Sequence, residues 1–170
     1  MKKIGLLKCF FLFVFVLSTS LILAQEQTTT YYFIRHAEKD RSDATNKNPS
    51  LTEQGHKRAQ DWATILKDVE LDAVYSTNYN RTQQTAAPTA KQHSLEVLDY
   101  DPRTLYSEKF QIATQGKTVL VVGHSNTTPA FVNTVLQEKK YENIDDHNNG
   151  NLYVLTITGD IKTVQLLHFN

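Results

Sequence analysis

Residues 117–126 read KTVLVVGHSN, and this stretch decides the fold class. Its run of Val and Leu is too short for an ordinary helix and is typical of a strand buried on both faces of a parallel sheet. The run stops abruptly at a glycine and His124. A shorter run, YYFI at residues 31–34, stops in the same way at Arg35 and His36. Both runs therefore predict buried strands that end in a polar, histidine-containing break.

Further strands and helices alternate around these two runs. A capping box over residues 50–53 predicts the start of the first helix, and the turn at Gly159-Asp160 predicts a terminal hairpin. The apolar patterns predict helices over 52–67, 80–91 and 106–115, a helix with Pro129 near its first turn, and strands over 71–76, 95–98, 151–158 and 161–169. This order predicts a single three-layer α/β domain, with helices on both faces of a largely parallel sheet.

The first 24 residues have the layout of a secretory signal peptide. Lys2, Lys3 and Lys8 form a positive segment, residues 10–17 form an apolar core, and Ala24 is a plausible cleavage point. A retained membrane anchor is the alternative, but the apolar stretch is shorter than the roughly 20 residues that span a bilayer. We therefore expect a signal peptide over 1–24, a domain over 25–170 and a periplasmic or secreted protein.

The composition after signal removal excludes several classes of function. Cleavage removes three of the 18 Lys and Arg residues and none of the 18 acids, which leaves 15 basic against 18 acidic side chains. A mildly acidic chain without a basic tract argues against binding to nucleic acid or to anionic membranes. The only cysteine, Cys9, lies in the signal. The domain therefore has no disulfide, thiolate metal site or cysteine nucleophile.

The histidines at the strand ends are the candidates for chemistry. Ligands of open α/β sheets bind beyond the carboxyl ends of the strands, which is where His36 and His124 fall. Arg81 follows the predicted strand 71–76, at a helix start where free N–H groups favour an anion. If these strands are neighbours, Arg35 joins the other three in a pocket that suits a phosphate dianion, since arginine can bind two oxygens at once.

Four segments resemble the histidine phosphatase superfamily, which includes phosphoglycerate mutases and bacterial phosphohistidine phosphatases. The segment IRHAEK (34–39) resembles its Arg-His-Gly/Ala signature, and LTEQGHKRA (51–59) resembles its Leu-Thr-x-x-Gly helix start. The segment STNYNRTQQTA (76–86) resembles its Ser-x-x-x-Arg segment, and VVGHS (121–125) its Gly-His strand end. The four segments occur in the family's order and are spread over most of residues 31–137.

The resemblance implies a phosphatase or phosphomutase in which His36 is the nucleophile. It implies that Arg35 and Arg81 bind the phosphoryl oxygens, that His124 assists at the same phosphate, and that no metal or cofactor takes part. The expected partner is a small phosphorylated substrate, a phosphate monoester or a phosphoramidate. A mutase must shield its phosphohistidine from water between transfers. This chain lacks the long insertions that would build a lid, so hydrolysis is the favoured reaction. A non-catalytic phosphate-binding module on the same fold is the alternative from another class.

The general acid is the part that the sequence leaves open. In many relatives a Glu after a mid-chain Arg/Leu segment protonates the leaving oxygen; here Glu108 follows RTLYS (103–107), one place late. Glu38, two places after His36, is the other candidate. The six histidines show no pair with the short spacing of zinc ligands. No pair of carboxylates occurs at strand ends, which argues against a carbohydrate hydrolase.

Overall fold

The computed structural model describes residues 27–169. Six strands and four helices lie in this range: β1 (Thr28–Arg35), α1 (Glu53–Ile65), β2 (Ala73–Ser76), α2 (Asn80–Gln92), β3 (Val97–Asp99), α3 (Glu108–Thr114), β4 (Thr118–Gly123), α4 (Thr127–Leu136), β5 (Asn151–Thr158) and β6 (Ile161–His168). Within the range, no helix is long and apolar enough to cross a membrane. The targeting segment predicted over 1–24 lies outside the described residues.

The six strands form one sheet in the order β3-β2-β4-β1-β5-β6. The first four strands of this order are parallel, whereas β5 pairs antiparallel with β1 and forms the predicted antiparallel hairpin with β6. The register aligns Arg35 at the end of β1 with Gly123 at the end of β4. The chain segments that follow β1 and β4 therefore leave the sheet side by side.

Helices cover both faces of the sheet, as predicted. On one face Phe33 of β1 packs with Phe110 of α3 and Phe131 of α4. On the other face Ile34 of the same strand packs with Trp62 of α1, in a cluster that also contains Ala86 of α2. Successive residues of β1 thus enter opposite cores, because side chains alternate along a strand. The predicted three-layer α/β domain is confirmed.

The N-cap of the first helix lies two residues later than the capping box predicts, and the helix itself begins at Glu53 instead of the predicted 52. Thr52, not Ser50, is the N-cap residue, and its hydroxyl accepts a hydrogen bond from the Gly55 N–H at 3.0 Å. Leu51 forms a β-bridge with Lys39, and its N–H donates to a glutamine side chain of α2. Since this pairing holds the chain extended through Leu51, the helix cannot start before Thr52.

Tertiary pairing also changes the ends of other elements. Strand β1 starts at Thr28 rather than at residue 31, because its first residues pair with the end of β5, Thr28 with Thr158. Helix α3 starts at Glu108 rather than at 106, because Tyr106 has a φ of 53°, outside the right-handed helical region. Ser107 then caps α3 by accepting from the Phe110 N–H.

Candidate active site

The four predicted site residues line one cavity. It has a volume of about 320 Å³ and lies at the carboxyl ends of β1, β2 and β4. We call it the histidine pocket, and its lining residues are Arg35, His36, Lys39, Tyr79, Arg81, Pro102, His124, Ser125, Asn126, Thr127 and Asp146. Parallel strands with aligned ends produce this convergence, since each delivers the residue that follows it to the same edge of the sheet.

His36 lies buried at the base of the histidine pocket, with 4% of its surface exposed. Its Nδ1 lies 2.7 Å from the carbonyl oxygen of Ala37, so Nδ1 carries the proton and donates it. This leaves Nε2 with a free lone pair. Burial, opposed by the hydrogen bond to Ala37 and reinforced by the charge of Arg35, lowers the pKa of His36 to about 3. The ring is therefore neutral at pH 7, which is the form that a nucleophile requires.

His124 stands next to His36, with 5.6 Å between the ring centroids. Its Nδ1 lies 3.4 Å from Nη2 of Arg81, which can only donate, so Nε2 must carry the ring proton. Nε2 lies 3.0 Å from the hydroxyl of Thr77, which in turn contacts the hydroxyl of Thr82. The pKa of His124 is lowered to about 4, mainly because the ring is buried and secondly because of the charge of Arg81.

Arg35 is almost fully buried and holds the loop between α4 and β5. Its Nη1 donates to the carbonyl oxygens of Asp145 at 2.7 Å and Asn148 at 2.9 Å, and its Nη2 donates to the carboxylate of Asp146 at 3.0 Å. The Nε–H has no partner among the described residues. Arg35 therefore has its Nε–H and one Nη2–H available for another acceptor. These two adjacent donors can bind two oxygens of one anion.

The guanidinium of Arg81 makes fewer hydrogen bonds to the described residues than that of Arg35. Its guanidinium carbon lies 4.6 Å from the centre of the Tyr79 ring, a cation–π contact that orients the side chain. Nε and Nη1 are buried and have no hydrogen-bond partner in the part of the chain that the structure describes. A buried donor without an acceptor costs free energy. The arrangement is therefore suited to an anion that would accept from these donors.

Two glycines allow the backbone to approach closely around the histidines. A Cβ at Gly123 would lie 2.7 Å from the hydroxyl of Thr128 and 2.8 Å from that of Tyr100. A Cβ at Gly55 would overlap the carbonyl oxygen of Glu38, which also accepts a hydrogen bond from the N–H of Thr52. These contacts give a physical reason for the glycines in the two motifs: each lets a helix pack against the segment that carries a histidine.

The sequence patterns missed the loop that supports the site. The side chain of Asn149 is buried and donates to the carbonyl oxygen of His36 at 2.8 Å, while the carbonyls of the same loop accept from Arg35. The only local signal is a polar run, DDHNNGN at residues 145–151, which is ordinary for a turn. The missed contacts join residues more than a hundred positions apart, so no local pattern could reveal them.

Neither predicted general acid reaches the histidine pocket. Glu108 lines a different cavity with Gln27 and Thr29, at the beginning of β1, whereas His36 follows the end of that strand. Eight strand residues at about 3.3 Å each separate the two ends, so the assignment of Glu108 is wrong. Glu38 lines the neighbouring cavity, but its Oε1 accepts from Nε of Arg58 at 2.7 Å.

Among residues 27–169, no group of three or more His, Cys, Asp or Glu side chains is placed to hold a metal ion. The positive charges around the histidine pocket come from the protein itself, namely Arg35, Arg81 and Lys39.

A parallel α/β sheet with two histidines and two arginines at its carboxyl edge defines a class of protein with a site for an anionic group. Residues 31–103 match the family model of the histidine phosphatase superfamily, branch 1. The match confirms the resemblance to this superfamily over the range that holds three of the four motifs, whereas VVGHS at 121–125 lies outside it. The prediction of a histidine-type phosphatase is thereby confirmed at the level of the superfamily.

Solved structures share the fold at low sequence identity. The mycobacterial glucosyl-3-phosphoglycerate phosphatase has a TM-score of 0.64 and 13% identity, over 85% of this chain and 99% of its own. The SixA protein of Agrobacterium tumefaciens, assigned as a phosphohistidine phosphatase, gives 0.61 and 20%, over 83% and 99%. A phosphoglycerate mutase of Bacillus anthracis gives 0.63 and 15%, over 84% and 94%. No curated protein matches the chain.

Proposed function

We propose that this chain is an exported, metal-independent phosphatase that hydrolyses phosphate monoesters or phosphoramidates through a phosphohistidine at His36. The observation that carries the proposal is the pairing of a neutral, buried imidazole with unused donors. Nε2 of His36 has a free lone pair in the same pocket as the unpaired Nε of Arg35 and the unpaired Nε and Nη1 of Arg81. A nucleophile and an anion site thus lie side by side.

In the proposed reaction the arginines bind the three equatorial oxygens of the phosphoryl group. Positioning and positive charge supply most of the catalysis in phosphoryl transfer. The lone pair of His36 Nε2 attacks phosphorus, the bond to the leaving oxygen breaks, and a phosphoryl-imidazolium forms. Water then attacks phosphorus, the pair of electrons of the N–P bond returns to Nε2, and inorganic phosphate leaves. His124, held beside His36, assists at the same phosphate.

The size of the pocket and the fold neighbours support a small phosphorylated substrate. A cavity of about 320 Å³ is at the lower end of the range for ligand sites and accepts a phosphoryl group with part of its leaving group. The mycobacterial neighbour acts, by its name, on a phosphorylated glycerate derivative. We therefore propose a low-molecular-weight phosphate monoester, or a phosphoramidate, as the substrate class.

The proposal of export depends on the amino-terminal segment alone. Three lysines precede an uninterrupted apolar run from Phe10 to Leu17, and three hydroxyl residues (18–20) then lead through Leu-Ile-Leu (21–23) to Ala24. This is the order of segments in a cleaved signal. Amino-terminal sequencing of the protein recovered from the periplasm or medium should begin near residue 25. A chain recovered uncleaved with the membrane fraction would instead indicate a retained anchor.

A phosphate-binding module without turnover is the second candidate. The observation in its favour is that Asp146 is the only carboxylate among the described lining residues, and it is engaged by Arg35. Binding needs the two arginines but not a nucleophile. The two candidates therefore differ in what they require of His36.

Trapping of the intermediate tests the proposal. The purified protein, incubated with a ³²P-labelled aryl phosphate and quenched with base, should carry label that survives alkali and is released by acid, as a phosphoramidate bond requires. His36→Ala should abolish both label and turnover, with an unchanged circular dichroism spectrum. His56→Ala, an exposed histidine on α1, is the matched control and should behave as wild type. Turnover that survives in His36→Ala would refute the covalent mechanism, and phosphate binding without label would favour the binding module.

A further inference from the structure

We propose that the carboxyl group of Asp146 donates the proton to the leaving oxygen and, as a carboxylate, then accepts a proton from the attacking water. This inference depends on the phosphatase function proposed above. It assigns the acid that the sequence left open to a residue outside all four motifs. The assignment starts from position: among the described residues Asp146 is the only carboxylate that lines the histidine pocket, whereas Glu108 lines a distant cavity and Glu38 lines only the adjacent cavity and binds Arg58.

Asp146 lies at the mouth of the histidine pocket, and His36 lies at its base. The Asp146 side chain is 63% exposed, whereas only 4% of His36 is exposed. In-line attack from His36 places the leaving oxygen on the opposite side of phosphorus, toward the mouth. Asp146 also lines the adjacent cavity of about 250 Å³, which His36 and Lys39 share. Its carboxyl group thus stands where the leaving oxygen emerges.

The backbone that carries Asp146 is held in place by the catalytic strand itself. The carbonyls of Asp145 and Asn148, on either side of it, accept from Nη1 of Arg35. The neighbouring Asn149 donates to the carbonyl of His36. Because the loop and the nucleophile share these bonds, the position of the carboxyl group relative to His36 Nε2 is preorganised, which is what proton transfer requires.

The protonation state of Asp146 depends on what occupies the pocket. Arg35 from β1, together with Arg41 and Lys39 from the loop after it, faces the carboxylate, and Asp145 and His147 lie beside it on its own loop. In the free protein, Arg41 and then Arg35 lower the pKa of Asp146. A phosphate dianion against Arg35 offsets that positive charge and adds a negative one, which favours the protonated carboxyl group. Substrate binding therefore shifts Asp146 toward its protonated form.

The two steps balance. In the first, the Asp146 proton moves to the leaving oxygen as the P–O bond breaks, giving an alcohol, phosphorylated His36 and an Asp146 carboxylate. In the second, that carboxylate takes a proton from water as the water oxygen bonds to phosphorus and the N–P bond breaks. The products are hydrogen phosphate, neutral His36 and protonated Asp146, ready for the next cycle.

The test is the dependence of the rate on the leaving group. Asp146→Asn keeps an oxygen that accepts from Arg35 but cannot donate an acidic proton. Its kcat/KM should fall by about 10²- to 10⁴-fold for an alkyl phosphate, and by far less for an aryl phosphate with an acidic phenol. The rate of the variant should also lose the decline at high pH that deprotonation of an acid causes.

Three other variants and the wild type make the result decisive. Asp40→Asn, which removes the same charge at an exposed position next to Lys39 in the sequence but outside both cavities, and Glu108→Gln should both keep the wild-type slope across leaving groups. Asp146→Ser, which also removes the acid, should reproduce the steep slope if Asp146→Asn folds poorly. An equal loss for all substrates, or no loss, would overturn the assignment while leaving the phosphatase intact. A wild type that turns over no phosphate ester would refute the proposed function and this inference with it.

Discussion

At the scale of single residues, the site depends on which nitrogen of each histidine carries the proton. His36 holds its proton on Nδ1 through the Ala37 carbonyl, which frees Nε2. His124 holds its proton on Nε2, because Nδ1 accepts from Arg81 and Nε2 donates to Thr77. The two rings therefore have opposite tautomers in one pocket, and each tautomer is set by the hydrogen-bond partners of the ring.

We predict that Thr77→Val lowers kcat/KM by about ten- to a hundredfold, because the buried Nε2–H of His124 loses its acceptor. The effect should fall on kcat, with KM little changed, since Thr77 does not line the histidine pocket. Thr77→Ser keeps the hydroxyl and should restore most of the activity. Steady-state kinetics on an aryl phosphate measure both. Equal activity of Thr77→Val and wild type would show that His124 needs no fixed tautomer.

At the scale of elements, α1 positions the segment that carries His36. The N–H and hydroxyl of Thr52, at the start of α1, both donate to the carbonyl of Glu38, and Gly55 packs directly against the same carbonyl. The start of α1 and the segment that follows β1 are thereby joined through the carbonyl group of Glu38. The Leu-Thr-x-x-Gly motif is thus a packing motif that supports the site, although none of its residues lines the histidine pocket.

We predict that Gly55→Ala destabilises the fold by about 1–3 kcal/mol, since the new Cβ overlaps the backbone of Glu38. Alanine in place of glycine normally stabilises a helix, so a decrease in the free energy of unfolding of Gly55→Ala would indicate the clash. Urea unfolding measures the change, and turnover should fall as the 36–38 segment shifts. Gln60→Ala, at an exposed position of α1, should change stability by less than about 0.5 kcal/mol. A more stable Gly55→Ala would contradict the packing.

At the scale of the whole molecule, the buried histidines couple stability to pH. Burial lowers the pKa of His36 to about 3 and that of His124 to about 4, from 6.5. The unfolded chain therefore binds more protons than the folded one between pH 6.5 and these values. The histidines' contribution to stability is fully present above pH 6.5 and is lost as the pH falls through this window.

We predict that the free energy of unfolding decreases from pH 6.5 to pH 5, by at most about 1.4 kcal/mol per pH unit for each histidine. Carboxylates with lowered pKa values act mainly below this range, so the window isolates the histidines. Denaturant unfolding at several pH values measures the slope. The double variant His36→Asn, His124→Asn should flatten it. An unchanged slope in that variant would show that other groups carry the dependence.

We predict that EDTA does not reduce phosphatase activity, because the arginines of the pocket already supply the positive charge that phosphoryl transfer needs. Activity on an aryl phosphate, measured before and after dialysis against the chelator, checks this. A loss of activity that one divalent cation restores would place a metal in the pocket and overturn the proposed roles of Arg35 and Arg81.

The sequence by itself determined the layers of the fold and four residues of the site. Each strand and helix is encoded by its own apolar periodicity. The residue that follows a buried parallel strand lies at the carboxyl edge of the sheet, where ligands bind, whichever strand is its neighbour. The convergence of Arg35, His36, Arg81 and His124 could therefore be predicted from local patterns, and the resemblance of the four motifs implied their roles.

Only the tertiary structure decided how these residues are held and which others join them. Four features depend on contacts between elements that are distant in sequence. They are the N-cap of α1 at Thr52, the pairing of Thr77 with His124, the exclusion of Glu108 and the placement of Asp146. Asp146 meets Arg35 across 111 positions of sequence. Such contacts are set by strand register and helix packing, which act between elements, whereas a local pattern records only the preference of one element.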